Sequence, residues 1–320
     1  MRREGSPWQG LGAVFLKELS DHLSSPRMRV LELLVVVTGA VAIYGAIQQI
    51  RAVSAEDPFL LLKLFSLGGG SMPSFTGLIG FLIPLVAIGL GFDAINGEYN
   101  RRTLSRILSQ PIYRDALLVG KFLAGLATIA ISLVSLWLLV IGLGLFFLGI
   151  PPSTEEAARA LVFLLVALAY AGVWLALAML FSILFRSAAT AALAALGLWL
   201  FLTLLWPALA PMLVQIFVPP DPVSILLGQP SLAAIEWQQA LSRLSPNQLF
   251  GEVVVAILRP DTRSLGPVFM NQLQSAIIGA PLPLGQSLII AWPQITGLVA
   301  STIVLFTMGY VVFQRQEVRA

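Results

Sequence analysis

The sequence contains no cysteine in its 320 residues. Disulfides, thiolate zinc sites, iron–sulfur ligation and a cysteine nucleophile are excluded together. It contains one histidine, His22, so a metal centre built on paired imidazoles is excluded as well. His22 itself reads as a solvated residue near a membrane surface. Charge is also scarce. Charged residues make up 11% of the chain and apolar residues 58%, where soluble domains run at roughly 25% and 45–50%. The mean hydropathy of +0.89 places most of the chain in lipid, because a water-soluble fold of this size cannot hide so much apolar surface. Composition alone excludes a soluble enzyme, a nucleic-acid binder and a disordered chain.

Long apolar runs are what the chain has in quantity. A helix crossing the hydrocarbon core needs about 20 apolar residues. Six segments meet that length, at about 30–50, 75–94, 116–150, 160–185, 188–218 and 288–313. Their continuity predicts an all-α membrane protein, since barrel strands would be about ten residues long with alternating polarity. The fifth run carries Pro207 and Pro211, which predicts a kink or break near its outer end.

Residues 1–29 contain no apolar core of the signal-peptide type. Trp8, Leu11, Phe15 and Leu19 recur at three- and four-residue spacing, while Lys17, Glu18 and Asp21 lie off that stripe. This pattern predicts an amphipathic helix in the headgroup plane, ended by Ser25–Pro26.

Six spans put both termini on one side, and the cations assign that side to the cytoplasm of a cell membrane. Arg2, Arg3, Lys17, Arg27 and Arg29 precede the first span. Arg101, Arg102, Arg106, Arg114 and Lys121 fall between the second and third. Arg186, Arg315 and Arg319 fall on the same side, leaving Arg51, Lys63, Arg159, Arg243, Arg259 and Arg263 opposite. The last outer segment, 219–287, is too long for a simple connector. Leu232, Ile235, Leu241 and Leu244, and then Leu249, Phe250, Val253, Val254 and Ile257, predict two or three short amphipathic helices on the outer surface or over the bundle. Ser245–Pro246–Asn247–Gln248 predicts a capping box at the start of the second.

Gly120–Lys121 does not belong to a nucleotide loop. That motif needs glycine five residues before the Gly–Lys pair and Ser or Thr after it, whereas this chain has Asp115 and Phe122. Two carboxylates, Glu32 and Asp93, lie within spans, both near cytoplasmic ends where they reach the interface. Spans three to six carry none near the midplane, which weighs against a proton relay.

The informative segment is the loop from Asp93 to Lys121. Residues 103–109 plot as a short helix with Leu104, Ile107 and Leu108 on one face and Arg102 and Arg106 off it, ended by Pro111. These residues fit a rod docking into a groove on a soluble partner. They fit equally a positively charged loop with no partner.

Asp93, Gly97–Glu98, Thr103–Leu104, Ile107–Leu108, Ser109, Pro111, Arg114 and Gly120–Lys121 together resemble the first cytoplasmic loop of type-2 ABC transporter permeases. The likeness is to the branch with copper-processing and gliding-type permeases. An amphipathic elbow helix at 1–29, a transmembrane domain at 30–320, a coupling loop at 95–115 and an enlarged outer region at 219–287 are in keeping with that resemblance. Many members have glycine before the Thr–Leu pair, where this chain has Arg102.

The resemblance implies a coupling helix that transmits motion from a separate ABC ATPase. Glu98 would face that ATPase, and Arg101, Arg102 and Arg106 would supply charged contacts. Thr103, Leu104, Ile107 and Leu108 would seat the helix in the cleft, with Pro111 and Arg114 fixing the return into span three. The chain itself would hold no cofactor; ATP and magnesium would be bound by the ATPase. Two permease chains would pair, as a homodimer under closed two-fold symmetry, in contact with membrane lipid and without nucleic acid. An ion- or proton-coupled secondary transporter and a structural membrane subunit are the other readings the composition allows. Spans rich in Leu, Ala and Gly are compatible with a lipid-like or amphiphilic cargo.

The cysteine-free chain is a clean background for testing this topology. Single cysteines placed at Ser109 and at Ser264 should react with an impermeant maleimide from opposite sides of the membrane. Labelling of both from outside would overturn the assignment.

Overall fold

A computed structural model describes residues 8, 10–52, 59–67, 74–103, 112–149, 151–219, 231–265 and 281–316. Every regular element among them is helical. In chain order these are α1 (Leu11–Ser24), α2 (Pro26–Ala52), α3 (Leu60–Ser66), α4 (Phe75–Gly91), α5 (Asn96–Asn100) and α6 (Arg114–Leu148). There follow α7 (Thr154–Leu184), α8 (Ala188–Leu200), α9 (Trp206–Phe217), α10 (Leu232–Ser242), α11 (Pro246–Leu258) and α12 (Leu284–Arg315). Six rods are long and apolar enough to cross a membrane: α2, α4 running on through α5, α6, α7, α8 joined to α9, and α12.

The helix α7 is the hub, packing against α12, α4, α6, α11 and α8. In its most apolar stretch 67% of residues are buried, against 17% for the α8–α9 rod and 11% for α12. The last two therefore turn most of their apolar surface outward. Trp174 and Tyr170 on α7 are fully buried, and Tyr170 stacks on Phe250 of α11 at 4.4 Å with the rings 11° apart. At 35 residues α6 is ~52 Å long, more than a hydrocarbon core of about 30 Å requires. Its first two turns carry Arg114, Asp115 and Lys121, so its excess length lies at the end of the bundle that also holds α1, α5 and the close of α12. That end is called proximal below and the opposite one distal.

The distal end is built around a cation that the sequence places outside the membrane. Arg159 is fully buried. Its guanidinium donates to Ile257 O at 2.6 Å and Ser287 Oγ at 3.2 Å, to Leu282 O, and to Glu155 Oε1 at 3.0 Å. Ile257 O is one of the orphan carbonyls at the C-terminus of α11, where positive charge is favoured. The acidic pair beside it works on helix N-termini: Glu155 accepts from Leu284 N and Glu156 from Leu61 N, both at 2.8 Å. Glu156 also closes a capping box with Ser153 at the start of α7. Arg159 and its neighbours thus fasten α3, α7, α11 and α12 at one point.

The fifth span passes through a π-helical turn at Phe201–Leu205, mid-span and just before Pro207, where the prolines lead one to expect an irregularity nearer its outer end. Pro207 has no N–H for the i–5 carbonyl of Leu202. Ser245 Oγ supplies the missing donor, reaching Leu202 O at 3.1 Å. For that reason the expected capping box at Ser245–Gln248 does not form: the serine hydroxyl is turned to α8–α9, and Gln248 donates instead to Glu252 at 3.0 Å. Asn247 donates to Thr203 Oγ1 and accepts from Tyr170 OH, while Trp206 Nε1 donates to Leu241 O at 2.8 Å. The two distal helices α10 and α11 thus rest on the irregular part of the fifth span. Parts of the outer region, 220–230 and 266–280, lie outside the described residues.

Candidate functional site

The loop motif falls at the proximal end, and the structure shows what its charges touch. Span two breaks at Phe92–Ile95 and resumes as α5. Ser182, from the last turn of α7, accepts from the freed Ile95 N and Asn96 N at 3.0 and 3.2 Å. In return Asn96 and Asn100 donate to Phe185 O and Arg186 O at 3.2 and 3.0 Å, taking up carbonyls just beyond the C-terminus of α7. This exchange fixes α5 against the α7–α8 turn and aims Glu98 inward.

Glu98 Oε1 lies 2.6 Å from Lys121 Nζ, and Lys121 Nζ lies 2.8 Å from Glu18 Oε1. Side-chain exposure is 4% for Lys121, 11% for Glu18 and 12% for Glu98. One desolvated ammonium therefore holds two carboxylates, one from α1 and one from α5. Removing the ammonium alone would leave both acids buried, at a cost of about 3–5 kcal/mol. The resemblance would have Glu98 face the ATPase; within this chain its carboxylate is turned to Lys121. Oε1 is taken by Lys121, and Oε2 is buried without a hydrogen-bond partner among the described residues.

Glu18 also corrects the reading of α1. The buried positions of this helix are Val14 and Glu18, four residues apart on one face, with Leu11, Phe15 and Leu19 half-buried beside them and Trp8 exposed. The acid joins the packed face because Lys121 waits there. Gly120 makes the approach possible, for a Cβ at that position would stand 2.8 Å from Val14 Cγ1. The Gly–Lys pair that resembles a fragment of a nucleotide loop is thus a docking point for α1, small residue and cation side by side.

Around this centre the motif residues each tie two elements. Arg27, in the first turn of α2, donates to Asp93 Oδ2 and to Gly89 O, both at 3.1 Å, and lies over the Phe92 ring at 5.1 Å. Arg114 donates to Gln316 O at 2.9 Å beyond the end of α12, and Asp115 accepts from Gln314. Gly10, in the left-handed region at φ 88, caps α1 against Ile112. Glu18, His22, Arg27, Asp93, Glu98 and Lys121 together line a cavity of about 300 Å3.

The end of α5 accounts for Arg102. Arg102 N bonds to Tyr99 O at 3.1 Å and Thr103 N to Glu98 O at 3.0 Å, the paired pattern of a Schellman close, with Arg102 at the left-handed position, φ 56. Glycine takes that conformation without steric cost and arginine does not. Thr103 Oγ1 adds a bond to Glu98 O at 3.2 Å. Arg101 and Arg102 are both exposed. The expected helix at 103–109 falls on Leu104, Arg106, Ile107, Leu108 and Pro111, which lie outside the described residues.

Titration follows from these contacts. Burial alone would lift the Glu18 carboxyl, but Lys121 and Lys17 outweigh it and hold it below the ordinary carboxylate range. His22 is half-buried, not solvated, and burial holds its imidazole below its usual value, helped by Lys121 and Arg27 against the opposing pull of Glu18 and Asp93.

Residues 12–318 match the sequence model of the ABC-2 family transporter proteins. The chain belongs to that family. It is 32% identical over 145 residues to a probable ABC transporter permease protein NosY of Pseudomonas aeruginosa, covering 44% of this chain and 46% of that protein. A protein of the same description from Stutzerimonas stutzeri is 30% identical over 148 residues, covering 46% of this chain and 48% of the relative. The chain spans about half the length of these curated relatives. Membership in the ABC-2 family makes the proximal junction the natural candidate for function, since its polar groups tie the ends of the loop to α1, α7 and α12.

Two outcomes follow from the junction. Arg102→Gly should slow hydrogen exchange at the Arg102 and Thr103 amides about fivefold, the equivalent of about 1 kcal/mol of relieved left-handed strain. Equal or faster exchange would contradict the Schellman geometry. Because Glu18 and His22 are both held below their ordinary values, docking of α1 is favoured above about pH 6.5. It weakens as pH falls, first as His22 protonates and then as Glu18 does. Amide protection across Leu11–Ser24 should drop between pH 7.5 and 5.5 as His22 protonates, and His22→Gln should remove that drop, leaving only the later loss below about pH 4.5 that belongs to Glu18. Protection that is unchanged over this range would refute the linkage.

Proposed function

We propose that this chain is the transmembrane permease subunit of an ATP-binding cassette transporter in the cytoplasmic membrane, with both termini in the cytoplasm. Two such chains pair, and each takes one separate ATPase subunit that binds ATP and magnesium. The chain carries out no bond chemistry. Its work is export or the transmission of movement across the bilayer.

The observation that supports this reading best is the Glu18–Lys121–Glu98 triad at the foot of the loop. A segment that must pass a push into the membrane needs stiff attachments at both ends. On the entry side Glu98 is held by Lys121, and α5 is held by Ser182 and the α7–α8 turn. On the return side Arg114 is held on the close of α12. Between these anchors in the sequence fall Leu104, Ile107, Leu108 and Pro111, which we assign to docking in a cleft of the ATPase, with Arg106 as a further charged contact. Arg101 and Arg102, exposed at the rim, supply cationic contacts to the ATPase surface. Glu98 acts here as a positioning residue, and its partner Lys121 carries displacement to α1 and α6 together. ATP binding draws the two ATPases together, the loops move with them, and a path opens between the two permease chains.

Co-expression with a cognate ABC ATPase should yield a complex whose ATP hydrolysis rises when the permease is present. Arg106→Ala should weaken assembly, and Glu98→Gln should leave assembly intact while lowering permease-stimulated hydrolysis about tenfold, within the usual range of coupling between sites. An ATPase that never co-purifies, or stimulation indifferent to both substitutions, would remove the basis of the proposal.

A further inference from the structure

At the distal end a second cavity, about 390 Å3, lies within a single chain between α4, α7, the π turn and α11. Its volume falls in the range of about 300–1,000 Å3 typical of small-molecule sites. Its walls are unlike those of the proximal cavity. Phe81, Phe250, Val254 and Leu258 give it an apolar lining, and the polar groups at its floor are already paired with one another. The one Tyr170 hydroxyl proton is shared between Gly80 O at 3.0 Å and Asn247 Oδ1, and Asn247 Nδ2 donates to Thr203 Oγ1. None of these groups carries a charge, so they offer no counterpart to an anionic head. Along α4 the lining extends from Ser74, at the distal start of the helix, to Phe81, which is partly exposed, seven residues or ~10 Å along the helix axis.

Its mouth carries one full charge. Arg259, the residue after α11, lines the opening and is exposed. Among the described residues it forms no ion pair, whereas Arg243 is matched by Glu252 and Arg159 by Glu155. An apolar slot with a cation at its surface lip is complementary to a molecule with an apolar tail and an anionic head. A free anion would leave the slot empty, and an uncharged amphiphile would leave the guanidinium unmatched.

We propose that this cavity holds an acyl chain of an anionic phospholipid from the distal leaflet, with the phosphate on Arg259. Seated there, the chain fills the space beneath α11 and beside the π turn, where α10 and α11 are hydrogen-bonded to the fifth span. Binding needs no ATPase and no second permease chain, so it stands or falls separately from the transport cycle proposed above.

The test uses the full chain purified in a neutral detergent and supplied with phosphatidylglycerol, with lipid occupancy read by native mass spectrometry. The wild-type chain should retain one phosphatidylglycerol. Arg259→Gln should weaken retention about tenfold, as loss of one charge-assisted hydrogen bond implies, and Arg263→Gln should leave it unchanged. Gly80→Leu, whose Cβ would stand 3.4 Å from Phe250 Cε1, should fill the slot and abolish retention. The Arg259 variant, exposed and remote from the core, keeps the test decisive if the Gly80 variant fails to fold. Equal retention of diacylglycerol would overturn the role of the phosphate. Displacement of the lipid by inorganic phosphate alone would overturn the role of the acyl slot. Equal losses in the Arg259 and Arg263 variants would reduce the effect to surface charge and overturn the site.

Discussion

A single buried ammonium organises the proximal end of this protein. Lys121 meets Glu18 and Glu98 at 2.8 and 2.6 Å in surroundings where an unpaired charge is expensive. Each partner comes from a different part of the chain: α1 before the first span, and α5 between the second and third. Among the described residues Glu98 has no other cation and Glu18 only the exposed Lys17 besides, so the placement of α1 and the placement of α5 both depend on the same lysine. Gly120 adds a steric term to the electrostatic one, since a side chain there would push α1 away from α6. The turn at Phe92–Ile95, the Ser182 bonds and the Schellman close at Arg102 all serve to present Glu98 to that ammonium.

The distal end solves a similar problem with different chemistry. Arg159 is as buried as Lys121, but it binds mostly carbonyl oxygens and a hydroxyl. A guanidinium with five donors in a planar fork can serve several acceptors at once. A lysine, as a compact point charge, is better matched to two close carboxylates. Arg159 therefore fastens helix ends by satisfying backbone groups, whereas Lys121 fastens side chains that have their own freedom to move. The distal clamp thus joins helix ends through backbone groups, and the proximal one joins α1, α5 and α6 through side chains alone.

How much of this was legible in the sequence depends on range. The six spans and the irregularity near Pro207 rest on continuous local patterns, and they appear in the structure as helices and a π turn. Pairings across the chain left no such trace. Glu18 looked like a solvent-facing acid of an amphipathic helix, because periodicity counts any carboxylate as polar; its partner is 103 residues away. Arg159 was counted among the outer charges, and nothing near it in sequence announces that it is fully buried among Ile257, Leu282 and Ser287. Ser245 had the right neighbours for a capping box, yet an orphan carbonyl on Leu202 took its hydroxyl first. Arg102 stands where the family resemblance leads one to expect glycine, and its left-handed backbone at φ 56 is the conformation that glycine would take without strain. A signal for Glu18 did exist: a small residue and a lysine in the first turns of α6 match an aliphatic residue and an acid spaced four apart on α1.

The location of the π turn connects these points to movement. A wider turn gives up regular backbone hydrogen bonds, and here it coincides with a proline, so the fifth span is least constrained by its own backbone at Phe201–Leu205. Ser245 supplies a donor to the freed Leu202 carbonyl, and side-chain bonds from Asn247 to Thr203 and from Trp206 to Leu241 O tie the turn to the distal helices. Ser245, Asn247 and Leu241 belong to the distal helices and their junction, which are tied through Ile257 to Arg159 and so to the hub α7. Any change in the bend of the fifth span must therefore either carry α10 and α11 with it or break these bonds. Since α8–α9 buries little of its surface against its own chain, these bonds to the distal helices are its main polar attachment to the rest of the bundle.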